Sequence, residues 1–114
     1  MELTKIFEFS AAHRLPDYKG QCNNLHGHTW KVEITIEGKP SPKNGMIFDF
    51  SILKAIVQEY VILRLDHTYL NYLIKNPTAE NIAVWIWAAL KQKIPIVREV
   101  CVWESPTSKV SLRI

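Results

Sequence analysis

The sequence is informative first through what it lacks. No apolar run approaches the roughly 20 residues that a membrane-spanning helix requires, and no basic segment followed by an apolar stretch marks a secretory signal. There is no internal repeat and no low-complexity segment. Only two cysteines occur, Cys22 and Cys101, and their different neighbourhoods favour two free thiols over a disulfide. We therefore expect a cytoplasmic protein without a membrane partner.

The chain also lacks a cluster of basic residues. Its 14 lysines and arginines are scattered and the formal net charge is +3, so we expect no nucleic-acid partner, whereas a small anionic ligand would suit this balance. Hydrophobic residues make up 47% of the 114 residues and charged residues 22%, which is typical of a soluble globular protein. The length predicts one domain spanning residues 1–114.

Two long segments in the first third of the sequence alternate apolar and polar residues. From Glu2 to His13 the apolar side chains fall on alternate positions, which is the period of a strand with one buried face, and His13 ends that face. The alternation returns from about His26 to Glu37, and extending it backwards places His26 and His28 on the apolar face. The residues between predict a loop of about a dozen residues, a length that is often functional.

The rest of the sequence predicts two helices and a β-hairpin. Asp49 or Ser51 can cap a first helix, and Thr78 can cap a second helix whose apolar residues from Ala79 to Leu90 recur at spacings of three and four. Two further strands flank a Ser-Pro-Thr-Ser turn, at residues 97–104 and 109–114.

The order strand, strand, helix, helix, strand, strand predicts an α+β domain. We expect one four-stranded antiparallel sheet with both helices on one face. Such a sheet leaves two exposed edges, and edges are normally shielded or paired with another chain. Oligomerisation is therefore expected.

Three of the four histidines flank the predicted loop. His26 and His28 are two residues apart on a strand and share a face, while His13 arrives from the neighbouring strand. Three imidazoles with a fourth position open are typical of catalytic zinc, although each histidine alone could be an ordinary hydrogen-bonded residue at the edge of a core. Cys22 could be a fourth ligand, which would make the site structural, or a nucleophile or base beside the metal. Spacing leaves these alternatives open.

The motifs around these residues resemble the 6-pyruvoyltetrahydropterin synthase superfamily. The spacing of three residues between the cysteine and His-Gly-His is similar to that of its 6-carboxytetrahydropterin synthase branch, which serves queuosine biosynthesis. The resemblance covers nearly the whole chain. It is carried by Ala11-Ala12-His13-Arg14-Leu15, the run from Cys22 to His28, residues 45–50, Leu65-Asp66-His67, residues 76–81 and Trp103-Glu104.

This resemblance implies a fold, an assembly and a reaction. The fold is the T-fold, or tunnelling fold, in which trimers join their sheets into a barrel and usually stack into hexamers, with active sites between subunits. The implied reaction converts 7,8-dihydroneopterin triphosphate to 6-carboxy-5,6,7,8-tetrahydropterin with release of acetaldehyde and triphosphate. It implies Zn2+ on His13, His26 and His28, where the metal polarises the side-chain oxygens of the substrate.

The resemblance also implies roles for residues outside the histidine cluster. Cys22 matches a general base, and Asp66 with His67 matches a second acid and base pair. Glu104 matches the pterin anchor, because a carboxylate can accept hydrogen bonds from the adjacent ring N–H and amino group of a pterin. Two further residues that would line the pocket, although helix capping and the helix dipole already explain them, are Thr78 and Glu80.

Two alternatives remain at this point. The chain could be a pyruvoyltetrahydropterin synthase, which eliminates triphosphate from the same substrate, or an enzyme that handles both products. It could instead be a structural zinc-binding module or a nucleic-acid adaptor with Cys22 as the fourth ligand, although no second Cys/His cluster or basic patch supports this.

Overall fold

The structure is a computed structural model that describes residues 1–16, 19–20 and 24–114. Cys22, the predicted base, lies outside the described residues. In chain order the described elements are the strands β1 (Glu2–His13) and β2 (His26–Glu37), the helices α1 (Phe50–Val57) and α2 (Leu63–Leu65), the short strand β3 (Thr68–Tyr69), the helix α3 (Ala79–Leu90) and the strands β4 (Val97–Ser105) and β5 (Ser108–Arg113).

Strands β1 and β2 form a long antiparallel pair that organises the sheet. Their register runs without interruption from Glu2 opposite Glu37 to His13 opposite His26. Both strands have the bounds that the alternation predicts. On one face Phe9 and Trp30 are buried as expected, because these side chains point toward the core while their neighbours point away.

The sheet has five strands rather than the four expected, in the order β3-β1-β2-β4-β5. The additional strand β3 has two residues and pairs parallel to β1, with Ala11 opposite Thr68. A two-residue strand is too short to show alternation, and its pairing depends on a contact across more than 50 residues of sequence, so the pattern of the sequence could not indicate it. The α+β class is confirmed.

The helices begin at capping residues that the sequence predicts. The Asp49 side chain accepts hydrogen bonds from the backbone N–H groups of Ser51 and Ile52, and Thr78 accepts one from Asn81. Helix α1 continues through a π-helical turn at Gln58–Ile62 into α2. The sequence pattern did not predict the change in helical pitch.

One apolar core lies between the sheet and the helices. Leu53 of α1, Ile82 and Ile86 of α3, and Val32 and Ile34 of β2 have no exposed surface and belong to this core. Burial of side chains this large stabilises a fold by roughly 1.5–3 kcal/mol each. No helix among the described residues is both long enough and apolar enough to cross a membrane.

The Asp49 cap gives a test of the fold. Asp49→Ala should lower the free energy of unfolding by about 1 kcal/mol, because two N–H groups of the first turn of α1 lose their acceptor. Asp49→Asn keeps an acceptor oxygen and is the matched control. Urea unfolding of both variants measures the difference, and an equal loss in both would contradict the capping role.

Candidate metal centre and active site

The register of β1 and β2 brings three imidazoles together at one end of the sheet. His13 lies directly opposite His26, and His28 lies opposite Ala11, which is two residues before His13. All three side chains are on the face that carries the core. Their potential ligand atoms lie within 4.8 Å of one another, as the alternation predicts.

Backbone carbonyls fix the orientation of two of these rings. His13 Nδ1 lies 2.8 Å from the Pro77 carbonyl oxygen, and His26 Nδ1 lies 2.7 Å from that of Asn24. A carbonyl oxygen only accepts hydrogen bonds, so Nδ1 of each ring is the donor. In the neutral ring the lone pair is then on Nε2, which is the arrangement usually found in metal-binding histidines.

The Nε2 atoms of the three histidines face one another but cannot all be paired by hydrogen bonds. Nε2 of His13 lies 3.0 Å from Nε2 of His26, although both rings already donate through Nδ1. Two lone pairs at this distance repel unless a proton or a cation lies between them. Nε2 of His28 is buried and has no hydrogen-bond partner in the described structure. Buried polar atoms are rarely left unpaired, so this donor set fits a bound cation, and zinc in particular.

Burial also favours the protonation state that binds metal. Desolvation lowers the pKa of His13 below 6.5, and the nearby His26 acts in the same direction, while the bond to Pro77 and the charge of Glu104 oppose it. Desolvation likewise lowers the pKa of His28, against the effect of Glu104. Both rings are therefore biased toward the neutral form at neutral pH, which is the form that coordinates a metal.

Trp30 forms the floor of the cluster. Its ring is fully buried, with its centroid 5.0 Å from that of His13 and 5.2 Å from that of His28. The indole N–H donates to the Ala11 carbonyl oxygen at 3.2 Å, which holds the ring in place. The tryptophan therefore keeps water away from one side of the histidines. The alternation along β2 places Trp30 on the apolar face but does not indicate this position beneath the site.

Glu104 is brought to the same cluster from β4. It continues the face of Val100 and Val102, and its carboxylate oxygens lie 4.0 Å from Nε2 of His13 and 4.0 Å from Nε2 of His28. The side chain is one-third exposed. The structure therefore places the predicted pterin anchor beside two of the predicted metal ligands.

Asp66 and His67 form a pair at the edge of β1. The Nδ1–H of His67 lies 2.9 Å from one Asp66 oxygen, and the other oxygen accepts a hydrogen bond from the backbone N–H of Ser10. That bond and the one from His67 hold the pKa of Asp66 below its usual value. His67 has a φ of 58° and its side chain is 83% exposed. A left-handed backbone at a residue other than glycine is strained, and such strain is concentrated at functional sites.

A shallow cleft connects this pair with the histidine cluster. The cleft has a volume of about 560 Å³ and is lined by both His28 and His67. Within the described residues, no hydrogen bond or ion pair joins Asp66 or His67 to the three histidines. A larger cleft of about 670 Å³ lies around Met1 and Phe48 at the other end of β1, away from these groups.

The remaining predicted residues lie in less distinctive positions. Thr78 caps α3 through its side-chain oxygen, which is used by the N–H of Asn81. Glu80 is exposed in the first turn of α3. Cys101 is buried, and burial raises the pKa of its thiol, so it is not an activated nucleophile.

The chain is similar to known proteins along nearly its whole length. The family model described as 6-pyruvoyl tetrahydropterin synthase matches residues 2–114. A protein of Archaeoglobus fulgidus with the provisional name 6-carboxy-5,6,7,8-tetrahydropterin synthase is 46% identical over 105 residues, covering 92% of this chain and 89% of the relative. The 6-carboxy-5,6,7,8-tetrahydropterin synthase of a Synechocystis species is 40% identical over 111 residues, covering 91% and 86%.

The fold is similar to that of a solved structure. The 6-pyruvoyl tetrahydropterin synthase of Caenorhabditis elegans superposes with a TM-score of 0.92 at 25% identity, covering 100% of this chain and 95% of that chain. The T-fold that the sequence motifs imply is therefore confirmed.

The buried imidazoles should make the metal-free protein sensitive to acid. The unfolded chain binds protons on His13 and His28 near pH 6.5, whereas the folded chain resists them. The free energy of unfolding should be fully retained above pH 6.5. It should fall as the pH drops from 6.5 through the lowered pKa values that His13 and His28 have in the folded state. Urea unfolding with a chelator, from about pH 8 to about pH 5, measures this decline. His28→Gln should make it shallower, and an unchanged slope would contradict the assignment.

Proposed function

Because this chain belongs to the 6-pyruvoyl tetrahydropterin synthase family, we propose that it is a zinc-dependent lyase of queuosine biosynthesis, a 6-carboxytetrahydropterin synthase. It would convert 7,8-dihydroneopterin triphosphate to 6-carboxy-5,6,7,8-tetrahydropterin, releasing acetaldehyde and triphosphate. The observation that carries the zinc assignment is the convergence of three histidines, with Nε2 of His13 and His26 facing each other and Nε2 of His28 buried without a hydrogen-bond partner in the described structure. The names of the Archaeoglobus and Synechocystis relatives, together with the spacing between Cys22 and His26, support the carboxy branch.

His13, His26 and His28 would hold the metal through Nε2. When bound there, zinc would supply a Lewis acid that polarises the side-chain oxygens of the substrate. The chain itself contributes the fixed rings. The Pro77 carbonyl orients His13 and the Asn24 carbonyl orients His26, so the site is organised before any ligand binds.

Proton transfer would be shared between Cys22 and the Asp66–His67 pair. A cation beside Cys22 would favour its thiolate, which would remove a proton from carbon. Asp66 accepts from Nδ1 of His67 and thereby leaves Nε2 of that ring free to accept or return a proton. Ser10 holds the carboxylate in place through its backbone N–H, so the pair is anchored to the sheet although the imidazole is exposed.

Glu104 would recognise the pterin ring. A carboxylate accepts two parallel hydrogen bonds from the ring N–H and the exocyclic amino group. Its position within 4.0 Å of His13 and His28 would place the reacting side chain of the pterin at the metal. Thr78 and Glu80, at the start of α3 next to the carbonyl that orients His13, would line the same pocket.

The active form would be a homotrimer or a homohexamer with sites between subunits. The described sheet ends in two edges, β3 and β5, which remain unpaired within one chain. The exposed imidazole of His67 supports a site that is completed by a second copy. Substrate bound there would contact groups from more than one subunit.

A pyruvoyltetrahydropterin synthase is the second candidate, because the Caenorhabditis elegans enzyme of that name shares the fold. Incubation of the zinc-loaded protein with dihydroneopterin triphosphate, followed by product identification by mass spectrometry, separates the two activities. We expect the carboxy product and acetaldehyde. Formation of the pyruvoyl compound without any carboxy product would contradict the branch assignment.

The role of Cys22 separates an enzyme from a structural zinc module. Cys22→Ala should retain the bound zinc, because the three histidines hold it, and should lower the turnover rate by about 10²- to 10⁴-fold, as expected for loss of a general base. Metal content by elemental analysis and turnover are measured on the same preparation. Loss of zinc from Cys22→Ala would identify the cysteine as a structural ligand instead.

Sites between subunits can be tested by mixing two inactive variants. Cys22→Ala and His67→Ala would each lack one proton-transfer group, and co-refolded mixtures should recover activity at about a quarter of their sites if the groups come from different copies. Each variant refolded alone is the control. Mixed oligomers that stay inactive would contradict a shared site.

A further inference from the structure

The position of Glu104 is unusual for a carboxylate. It lies on the face of β4 that carries the buried residues Val100 and Val102, where a charged group requires compensation. Among the residues that the structure describes, no lysine or arginine lies within ion-pair distance of it. The nearby lysines, Lys31 and Lys109, lie instead over the ring of Trp103. The groups that face the Glu104 carboxylate are the two histidines.

The geometry of this contact does not fit a direct hydrogen bond. One carboxylate oxygen lies 4.0 Å from Nε2 of His13 and the other lies 4.0 Å from Nε2 of His28. Both separations exceed hydrogen-bond distance. They also exceed the roughly 3.4 Å that separates two ligand atoms at a tetrahedral zinc ion with bonds of about 2.0–2.2 Å. The carboxylate therefore faces the site of a cation held by the histidines without being in position to coordinate it.

Charge points to the same arrangement. Three neutral imidazoles leave the full charge of a divalent cation uncompensated. An imidazole that coordinates through Nε2 while Nδ1 keeps its proton is neutral, so the ligands themselves provide no negative charge. Glu104 is the carboxylate that the described structure places against their Nε2 atoms.

We propose that Glu104 is an affinity-determining residue of the metal centre, whose carboxylate faces the cation in the absence of pterin. This inference rests on the metal site of the proposed function and adds a second role to the residue that would anchor the pterin. Arrival of the pterin would then draw the carboxylate from the metal, so that substrate binding and the charge at the metal would be coupled.

Metal affinity tests this role without substrate. The measurement is competition for Zn2+ between the full-length apoprotein and a chromophoric chelator, with wild type, Glu104→Gln and Glu8→Gln compared at one pH and ionic strength. Glu104→Gln keeps the shape of the side chain and removes its charge. We expect its affinity for Zn2+ to be lower by roughly 10- to 100-fold, as for other groups that support metal ligands.

Glu8→Gln is the matched control. Glu8 is exposed on the other face of the sheet and lines a cleft of about 430 Å³ together with Glu104 and His28. Glu8→Gln makes the same change of charge, but the affinity of this variant for Zn2+ should stay within about twofold of wild type, since no hydrogen bond or ion pair joins Glu8 to the histidines in the part of the chain that the structure describes. Equal losses of Zn2+ affinity in the two variants would show that the net charge of the protein alone sets the affinity, and this result would overturn the proposal.

Wild-type affinity in folded Glu104→Gln would also overturn the proposal, and circular dichroism establishes folding. If that variant does not fold, Glu104→Ala also removes the charge, and wild-type affinity for Zn2+ in that variant would overturn the proposal as well. A wild-type protein that binds no Zn2+ would contradict the proposed function itself. If Glu104→Gln loses pterin binding but keeps wild-type affinity for Zn2+, Glu104 is supported as the pterin anchor and its proposed role in metal affinity is overturned.

Discussion

The pairing of β1 with β2 is the constraint on which the rest of the site depends. Twelve residues of each strand pair in one unbroken register, which ends with His13 opposite His26. A slip by one residue would turn every side chain of one strand to the other face. The same register therefore buries Phe9 and Trp30 in the core and aligns the three imidazoles, so the energy that folds the sheet also organises the candidate metal centre.

This organisation gives the three imidazoles unfavourable contacts with one another. The lone pairs of His13 and His26 oppose each other at 3.0 Å, and Nε2 of His28 has no hydrogen-bond partner in the described structure. Folding of the rest of the domain must offset these contacts, because buried polar groups without partners cost free energy. A cation that relieves them would stabilise the folded state as well as activate the substrate.

Much of the fold and of the candidate site could be predicted, because it follows from the short-range spacing of apolar and polar residues along the chain. Alternation placed His13, His26 and His28 on one face, and the caps at Asp49 and Thr78 were evident from short-range pattern. The two-residue strand β3 carried no such signal, because it pairs with a strand more than 50 residues away in sequence, and the pattern did not predict the π-helical turn either. The roles of Asp66 and Glu104 came from resemblance, since neither has a local pattern that separates it from an ordinary surface charge.

The sequence by itself determined which residues could meet, because side-chain period along a strand is a property of the backbone. It determined the class of the fold and the set of candidate ligands. Only the tertiary structure decided how those residues are presented. The Pro77 carbonyl that fixes the His13 ring, the Trp30 floor and the approach of Glu104 all join segments distant in sequence. Such contacts depend on how the sheet and α3 pack in three dimensions, and no local pattern encodes their distances.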